Sequence, residues 1–288
     1  MNKRNQRSKH KYNQKNPSHR NSHTRNSPKW ENPNSETIQI VEGRHAVREA
    51  ILAGTRKVRE VNMSEGLDPG TIIEDIANLS RELRIPLRMH AKSKFKSMTT
   101  TESAQGVQAI CDPLPELEIE DLVEETEIPF ILVLDSITDP RNLGSIIRSG
   151  ECAGATGILL PRHRSVRITP AVSKTAQGAI EHIPIATTSG IPKALTRLKE
   201  LGVWTVGMDM AADENIYNLR VVNDPLALVL GSEGKGLGRL TRERCDITVK
   251  IPLSGITESL NVGAAAAIGC FEISVSYTHL TLPTKRIV

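Results

Sequence analysis

The stretch FILVLDSITDPRNLGSIIRSGECAGATGILLP, residues 130–161, decides the fold. Its opening run, ending at Asp135, is almost continuously apolar, the pattern of a strand covered on both faces. After the turn at Asp139 and Pro140 a helix is expected over 142–153, and GILLP at 157–161 reads as a second strand. Strand, crossover helix and strand make a parallel βαβ unit, and the rhythm continues. Further strands are expected at 182–186, 203–209, 226–231 and 247–252, and helices at 170–180, 190–201, 238–245 and 259–273. Residues 129–275 therefore read as a doubly wound parallel α/β domain whose ligand site lies in loops at the carboxyl ends of its strands.

Outward from this core, residues 37–113 read as a small α/β unit. GRHAVREAILAG is a helix ending at Gly54, KVREVNMS a strand, TIIEDIANLSREL a helix, and PLRMH and GVQAICD are strands. Residues 114–128, acidic and proline-punctuated, read as a linker with room for one helical turn. Residues 1–36 hold nine Lys or Arg against Glu31 and Glu36, a net of +7 in a chain of net charge +4, with scarcely an apolar residue before Trp30. Such a segment cannot bury enough surface to order itself and reads as a disordered basic arm attracted to polyanions. The last residues, 276–288, break the preceding helical pattern and read as a non-native tail resembling translated adapter sequence.

Composition narrows the class. No apolar run approaches the roughly 20 residues that cross a bilayer, and the polar start lacks the apolar stretch of a signal peptide. Cys111, Cys152, Cys245 and Cys270 form no C-x-x-C pair, so no zinc clip is expected, and a reducing cytoplasm fits.

Three loops of the second domain carry candidate chemistry. In DSITDPRNLGSIIRS, Asn142 and Ser145 stand at the helix start and Arg148 two turns in, where it would bind phosphate or ribose or simply be solvated. LVLGSEGKGLG places four glycines in eight residues after a strand. It matches neither the phosphate loop G-x-x-x-x-G-K-[ST] nor G-x-G-x-x-G, which disfavours a nucleoside triphosphate or dinucleotide. A turn that wraps a smaller ligand with its backbone, or a plain tight turn, remains. In IPLSGITESLNVGAAAA, Ser259 as helix cap and Asn261 as a first-turn donor is the plain reading.

In order and spacing, DPRNLGSIIRS, LVLGSEGKGL and IPLSGITESLNV resemble the three signature motifs of the SpoU-type (TrmH-like) RNA ribose 2′-O-methyltransferases, a branch of the SPOUT superfamily. The likeness covers 129–273. EGRHAVREAIL and AQGVQAI resemble the ribosomal-protein-like RNA-binding domain of the branch that methylates a guanosine of 23S rRNA. Two positions depart: Ala104 stands where that branch commonly has His, and Gly263 where the third motif usually has Ser.

The resemblance implies a trefoil-knotted domain, S-adenosylmethionine as cofactor, a homodimer and an RNA substrate. It implies that backbone at Gly231, Ile251 and Leu260 holds the adenosine and that Leu230 and Leu253 wall it. Side chains at Gly231, Gly234 or Gly236 would then collide with the cofactor. It assigns catalysis to Arg148, which would bind the adjacent phosphate and stabilise the developing alkoxide. Asn142 would fix Arg148 or the ribose, Glu233 would hold the loop or a partner Arg, and Ser259 and Asn261 would orient substrate and cofactor. No metal is implied. The alternatives are a tRNA ribose methylase or antibiotic-resistance rRNA methylase, a non-catalytic ribosome-assembly factor on the same fold, and a nucleotide-dependent oxidoreductase.

Overall fold

The computed structural model describes residues 38–281 except 69, 102–103, 125, 164 and 258. The basic arm lies outside the described residues. The described residues pack as one unit on two sheets.

The first sheet comprises β1 (Gln39–Glu42), β2 (Val58–Ser64), β3 (Leu87–His90) and β4 (Val107–Cys111), in the order β1-β4-β2-β3. β4 runs antiparallel to β1 and β2, and β3 runs parallel to β2. Helices α1 (Arg44–Ala53) and α2 (Thr71–Glu82) cover one face over Val41, Val47, Ile51, Val61, Ile76 and Val107. α1 stops where expected, because Gly54 takes the left-handed conformation at φ 64°. β1 and α3 (Lys92–Met98) are not in the sequence expectation; α3, KSKFKSM, buries only Phe95 and so carries no apolar period to read. Near its end the fully buried Glu42 carboxylate accepts from the amides of Thr100 (2.7 Å) and Thr101 (2.9 Å) and from Gln108 Nε2 (3.3 Å).

The expected linker is partly a packed element. Leu117 bridges to Ala186, and α4 (Ile119–Glu124) buries Ile119 and Leu122 against the second sheet while its acidic residues stay at the surface. That sheet contains β5 (Phe130–Leu134), β6 (Gly157–Pro161), β7 (Ile185–Thr188), β8 (Trp204–Met208), β9 (Glu214–Asn215), β10 (Leu226–Leu230) and β11 (Ile247–Lys250). Its order is β7-β6-β5-β10-β8-β11-β9, with every pairing parallel. Side chains alternate across it, so both faces need cover. Phe130, Leu132 and Leu134 meet α5 (Pro140–Cys152), α6 (Pro170–Ala176) and α9 (Val262–Thr281). Ile131 and Val133 meet α4 and α7 (Ile191–Glu200) on the other face, and α8 (Arg239–Arg244) packs on α7. The domain is doubly wound, and its strand order reverses between β5 and β10, which is where such sheets place ligands.

Helix boundaries differ from expectation in two instructive places. α6 ends at Ala176 instead of 180, because Gln177 and Gly178 both take positive φ; a Cβ on Gly178 would lie 2.5 Å from Glu49 Cβ of α1. α9 starts at Val262 and its backbone stays helical through Thr281, beyond the break expected at 276.

The two sheets are joined through a buried ion pair. Arg56, just before β2, donates from Nε to Glu181 Oε2 (3.0 Å) and from Nη2 to Oε1 (2.5 Å), both side chains being 1% exposed. Thr55 Oγ1 also donates to the Glu181 carbonyl at 2.7 Å. Removing one member strands the other charge in a dry site. Arg56→Ala is expected to cost about 3–5 kcal/mol, read as a lowered urea midpoint.

Candidate active site

The loop after β5 is built to free Asn142. Asp139 caps α5 by accepting the Arg141 amide at 2.8 Å, and Pro140 occupies the first turn, where a missing N–H costs nothing. Asn142 is thus spared capping and reaches across to the loop after β10. The same loop is tied sideways, since Asp135 accepts from Thr241 Oγ1 of α8 at 2.6 Å.

After β10 the chain makes a tight hairpin in which Ser232 N donates to Gly236 O (3.0 Å) and Gly236 N to Ser232 O (2.9 Å). Gly234 (φ 78°) and Gly236 (φ 65°) supply its left-handed positions. The structure adds a reason within the chain itself for each glycine. A Cβ on Gly231 would sit 2.1 Å from the Gly236 carbonyl carbon and 2.4 Å from Leu237 N, so the loop's own return excludes a side chain there. Cβ atoms on Gly234 and Gly236 would meet no protein atom within 4 Å, so what the chain itself demands of these two is the positive φ.

The hairpin presents Glu233 to both other loops. Asn142 Nδ2 donates to Glu233 Oε2 at 2.9 Å, and Asn261 Nδ2 donates to Glu233 Oε1 at 3.2 Å and to Asn142 Oδ1 at 3.0 Å. Asn261 Oδ1 in turn accepts from Gly263 N (2.9 Å) and Ala264 N (3.3 Å) at the start of α9. Asn261, not Ser259, is therefore the helix cap, and one side chain both ends the loop and closes the cluster. Three segments distant in sequence meet in a single closed network.

Beside it lies a cavity of about 120 Å³. Of the expected residues, Leu230, Gly231, Glu233, Gly236, Ile251, Ser259 and Leu260 line it. Leu253 does not; it packs, half-buried, against the core instead. Arg148 is exposed on α5, and Asn142 bonds to Glu233 and Asn261 rather than to it. Among the described residues Arg148 has no hydrogen bond or ion pair, and it does not line the cavity.

The sequence reading missed the wall contributed by Met208, Asp209 and Met210. The signal was present, since the strand expected at 203–209 ends on the same edge of the sheet. Asp209 is buried and paired with Arg242, whose Nε lies 2.6 Å from Asp209 Oδ2, fastening α8 to the end of β8.

No cysteine lines the cavity, and burial pushes the Cys111, Cys245 and Cys270 thiols up to about 12, which leaves them protonated and unreactive. Among the described residues no cluster of His, Cys, Asp or Glu suits a metal.

The Gly263 departure has a local counterpart. A Cβ there would lie 3.1 Å from Asn261 Oδ1 and 3.2 Å from Ser145 Oγ, so the Ser145 hydroxyl occupies the space a side chain would take. Gly263→Ser is expected to lower the melting temperature, and Ser145→Ala to recover part of that loss, so that the two changes are non-additive in a four-member thermal cycle.

Comparison with known proteins agrees with this geometry. Residues 129–271 match the family model for the SpoU rRNA Methylase family, and residues 40–117 the model for RNA 2'-O ribose methyltransferase substrate binding. The TrmH-family protein YacO of Bacillus subtilis is 39% identical over 243 residues, covering 83% of this chain and 96% of YacO. The 23S rRNA (guanosine-2'-O-)-methyltransferase RlmB of Pseudomonas putida is 37% identical, covering 82% of this chain and 95% of RlmB. Among solved structures, the SpoU methyltransferase AviRb of Streptomyces viridochromogenes, in complex with AdoMet, superposes with a TM-score of 0.71 at 23% identity, over 85% of this chain and 91% of AviRb. A TrmH-family protein from Porphyromonas gingivalis gives 0.67 at 25% identity, over 83% of this chain and 90% of that one. With a substrate-binding domain of that lineage ahead of a matching catalytic domain, the chain belongs to the SpoU rRNA methylase family of RNA methyltransferases.

Proposed function

We propose that the protein methylates a ribose 2′-hydroxyl of a guanosine in 23S rRNA, using S-adenosylmethionine. The observation that carries the reading is the Asn142–Glu233–Asn261 network, which unites all three motif loops at the mouth of one cavity. The substrate follows RlmB, similar along both domains.

The cavity residues fit this cofactor. Leu230, Ile251, Leu260, Val262 and Met208 offer apolar walls for an adenosine. Among the described residues the amides of Gly231, Ile251 and Leu260 have no backbone acceptor and remain available to a ligand. A site that reads its ligand by backbone needs glycine-rich loops more than conserved polar side chains, and this is how the hairpin is made. When bound, the cofactor supplies a methyl group on a sulfonium, an electrophile that needs no metal.

The protein's part is then positioning and charge. A ribose hydroxyl must sit about 3 Å from the reacting carbon, and holding it there supplies much of the acceleration. Glu233 keeps both Asn side chains in one orientation, with Asn142 facing the ribose and Ser259 and Asn261 flanking the cavity mouth. Arg148 serves as phosphate ligand and stabiliser of the developing alkoxide, not as a base, because a guanidinium offers five N–H donors and no acceptor. The hydroxyl proton leaves to phosphate oxygen or water.

The homodimer belongs to the same proposal. α9 leaves Phe271 and Val275 nearly half exposed, 46% and 48%, beside a run of alanines that permits close helix approach. The trefoil path of the chain around 251–262 and a cytoplasmic setting are proposed with it. Among the described residues no helix is long and apolar enough to cross a membrane.

The test is methyl transfer from labelled S-adenosylmethionine to undermodified 23S rRNA and to tRNA in parallel, mapped by resistance of the modified site to alkaline hydrolysis. Label at one 23S guanosine is the expected result. Label in tRNA alone would keep the chemistry and replace the substrate.

A further inference from the structure

Charge along the catalytic domain is unevenly placed. Between Glu151 and Glu181 the sequence contains no acidic residue, yet it includes Arg162, His163, Arg164, Arg167 and Lys174. Much of this charge falls on the segment that leaves the carboxyl end of β6, the edge of the sheet that also carries the candidate active site.

The segment is anchored. Ser165 Oγ and Val166 N both donate to the Ile137 carbonyl, at 2.9 and 3.0 Å, and Ile137 belongs to the loop that delivers Asn142. Arg162 N donates to Thr188 O at 2.7 Å, which pins the other end to β7. Val166 and Ile168 turn inward onto the core, leaving Arg162, His163 and Arg167 exposed. Arg141, beside Asn142, is exposed as well.

None of the Arg141, Arg162 and Arg167 side chains has a hydrogen bond or ion pair among the described residues. Elsewhere most arginines are engaged: Arg48, Arg56, Arg59, Arg88, Arg197, Arg239 and Arg242 all hold carboxylates. Asp139, the acidic neighbour on the adjoining loop, is turned to the Arg141 amide as helix cap. Guanidinium groups held on a fixed backbone and left without partners along the edge of the sheet that carries the candidate site suit a polyanion whose charges repeat along a strand.

We infer that Arg141, Arg162 and Arg167, with His163, form a clamp for the phosphate backbone of the RNA strand that flanks the target nucleotide. The inference rests on the proposed RNA substrate and assigns the surface that receives it. Phosphate contacts of this kind set register and carry no sequence information, which leaves the choice of nucleotide to other contacts. The partner is RNA; a protein surface would need apolar anchors, which these exposed positions lack.

The test measures binding of a 23S rRNA transcript over a salt series, separately from methyl transfer. The full-length protein is compared with the Arg141→Ala, Arg162→Ala, Arg167→Ala triple variant, the corresponding triple-Lys variant, and Arg220→Ala on the loop leading into β10. The triple-Ala variant is expected to bind RNA at least about tenfold more weakly near physiological salt, with the slope of log K against log salt reduced by about 2, three contacts at roughly 0.7 each. Its melting temperature and its affinity for S-adenosylhomocysteine stay at wild-type values. The triple-Lys variant keeps most of the slope, because charge is what the backbone reads, and Arg220→Ala changes neither quantity. An unchanged slope and affinity in a folded triple-Ala variant overturns the clamp, as does an equal loss in Arg220→Ala. A wild-type protein that binds RNA with the full slope but transfers no methyl group would sink the proposed activity and leave the clamp standing.

Discussion

Methyl transfer by Arg148→Ala, measured in single turnover at saturating RNA and cofactor, is expected to fall by about 10²–10³, the usual loss when one stabiliser of developing oxyanion charge is removed. Cofactor affinity stays unchanged, because Arg148 does not line the cavity. The structure makes this a clean substitution. Arg148 is exposed on α5 and unpartnered among the described residues, so its removal strands no buried charge and should leave the fold intact. Arg148→Lys is expected to recover only part of the rate, since an ammonium keeps the charge but not the planar fork that grips phosphate. A normal rate in Arg148→Ala would remove this residue from the chemistry and turn attention to Asn142 and Glu233.

The second large effect is expected at Gly231. Its missing Cβ would lie 2.1–2.4 Å from backbone atoms of Gly236 and Leu237, none of which can rotate aside. Gly231→Ala must therefore open the hairpin, at a cost of about 1–3 kcal/mol or more, and take Glu233 away from Asn142 and Asn261. The measurement is the rise in melting temperature on adding S-adenosylhomocysteine, which reports binding to the folded state by mass action. Gly231→Ala should abolish that rise. Gly234→Ala, facing open space with only a positive φ to satisfy, should cost about 1–2 kcal/mol and keep most of it. Equal losses in the two variants would mean that the loop acts through its flexibility and not through the closed hairpin.

The contrast between these two glycines marks where sequence reading ran out. Four glycines in eight residues announce a tight turn, but not which of them answers to φ and which to a neighbouring backbone. Asn261 shows the same limit from another side. Its capping of α9 and its bonds to Asn142 and Glu233 are one arrangement, whereas the local pattern offered Ser259 for the cap. Leu253 was expected on the cavity wall and instead packs, half-buried, against the core, because a residue in an irregular loop has no period to say which way it faces. The 114–128 segment looked like a linker since its acidic residues outnumber the apolar ones, Leu114, Leu117, Ile119, Leu122 and Val123, that hold it to the sheet.

What the sequence by itself determined is the alternation of buried strands and helices from 130 onward, the small α/β unit before it, and the three loops that resemble the family's motifs. All of these are local: a strand covered on both faces must be apolar throughout, and a turn with positive φ favours glycine. Only the tertiary structure decided that the strand order reverses between β5 and β10, that Glu233 is shared by two asparagines, that Arg56 and Glu181 lock the two sheets together, and that the segment carrying Arg162 and Arg167 is bonded to the loop that delivers Asn142. These depend on contacts across tens to more than a hundred residues, where geometry is set by the packing of whole layers and leaves no periodic trace along the chain.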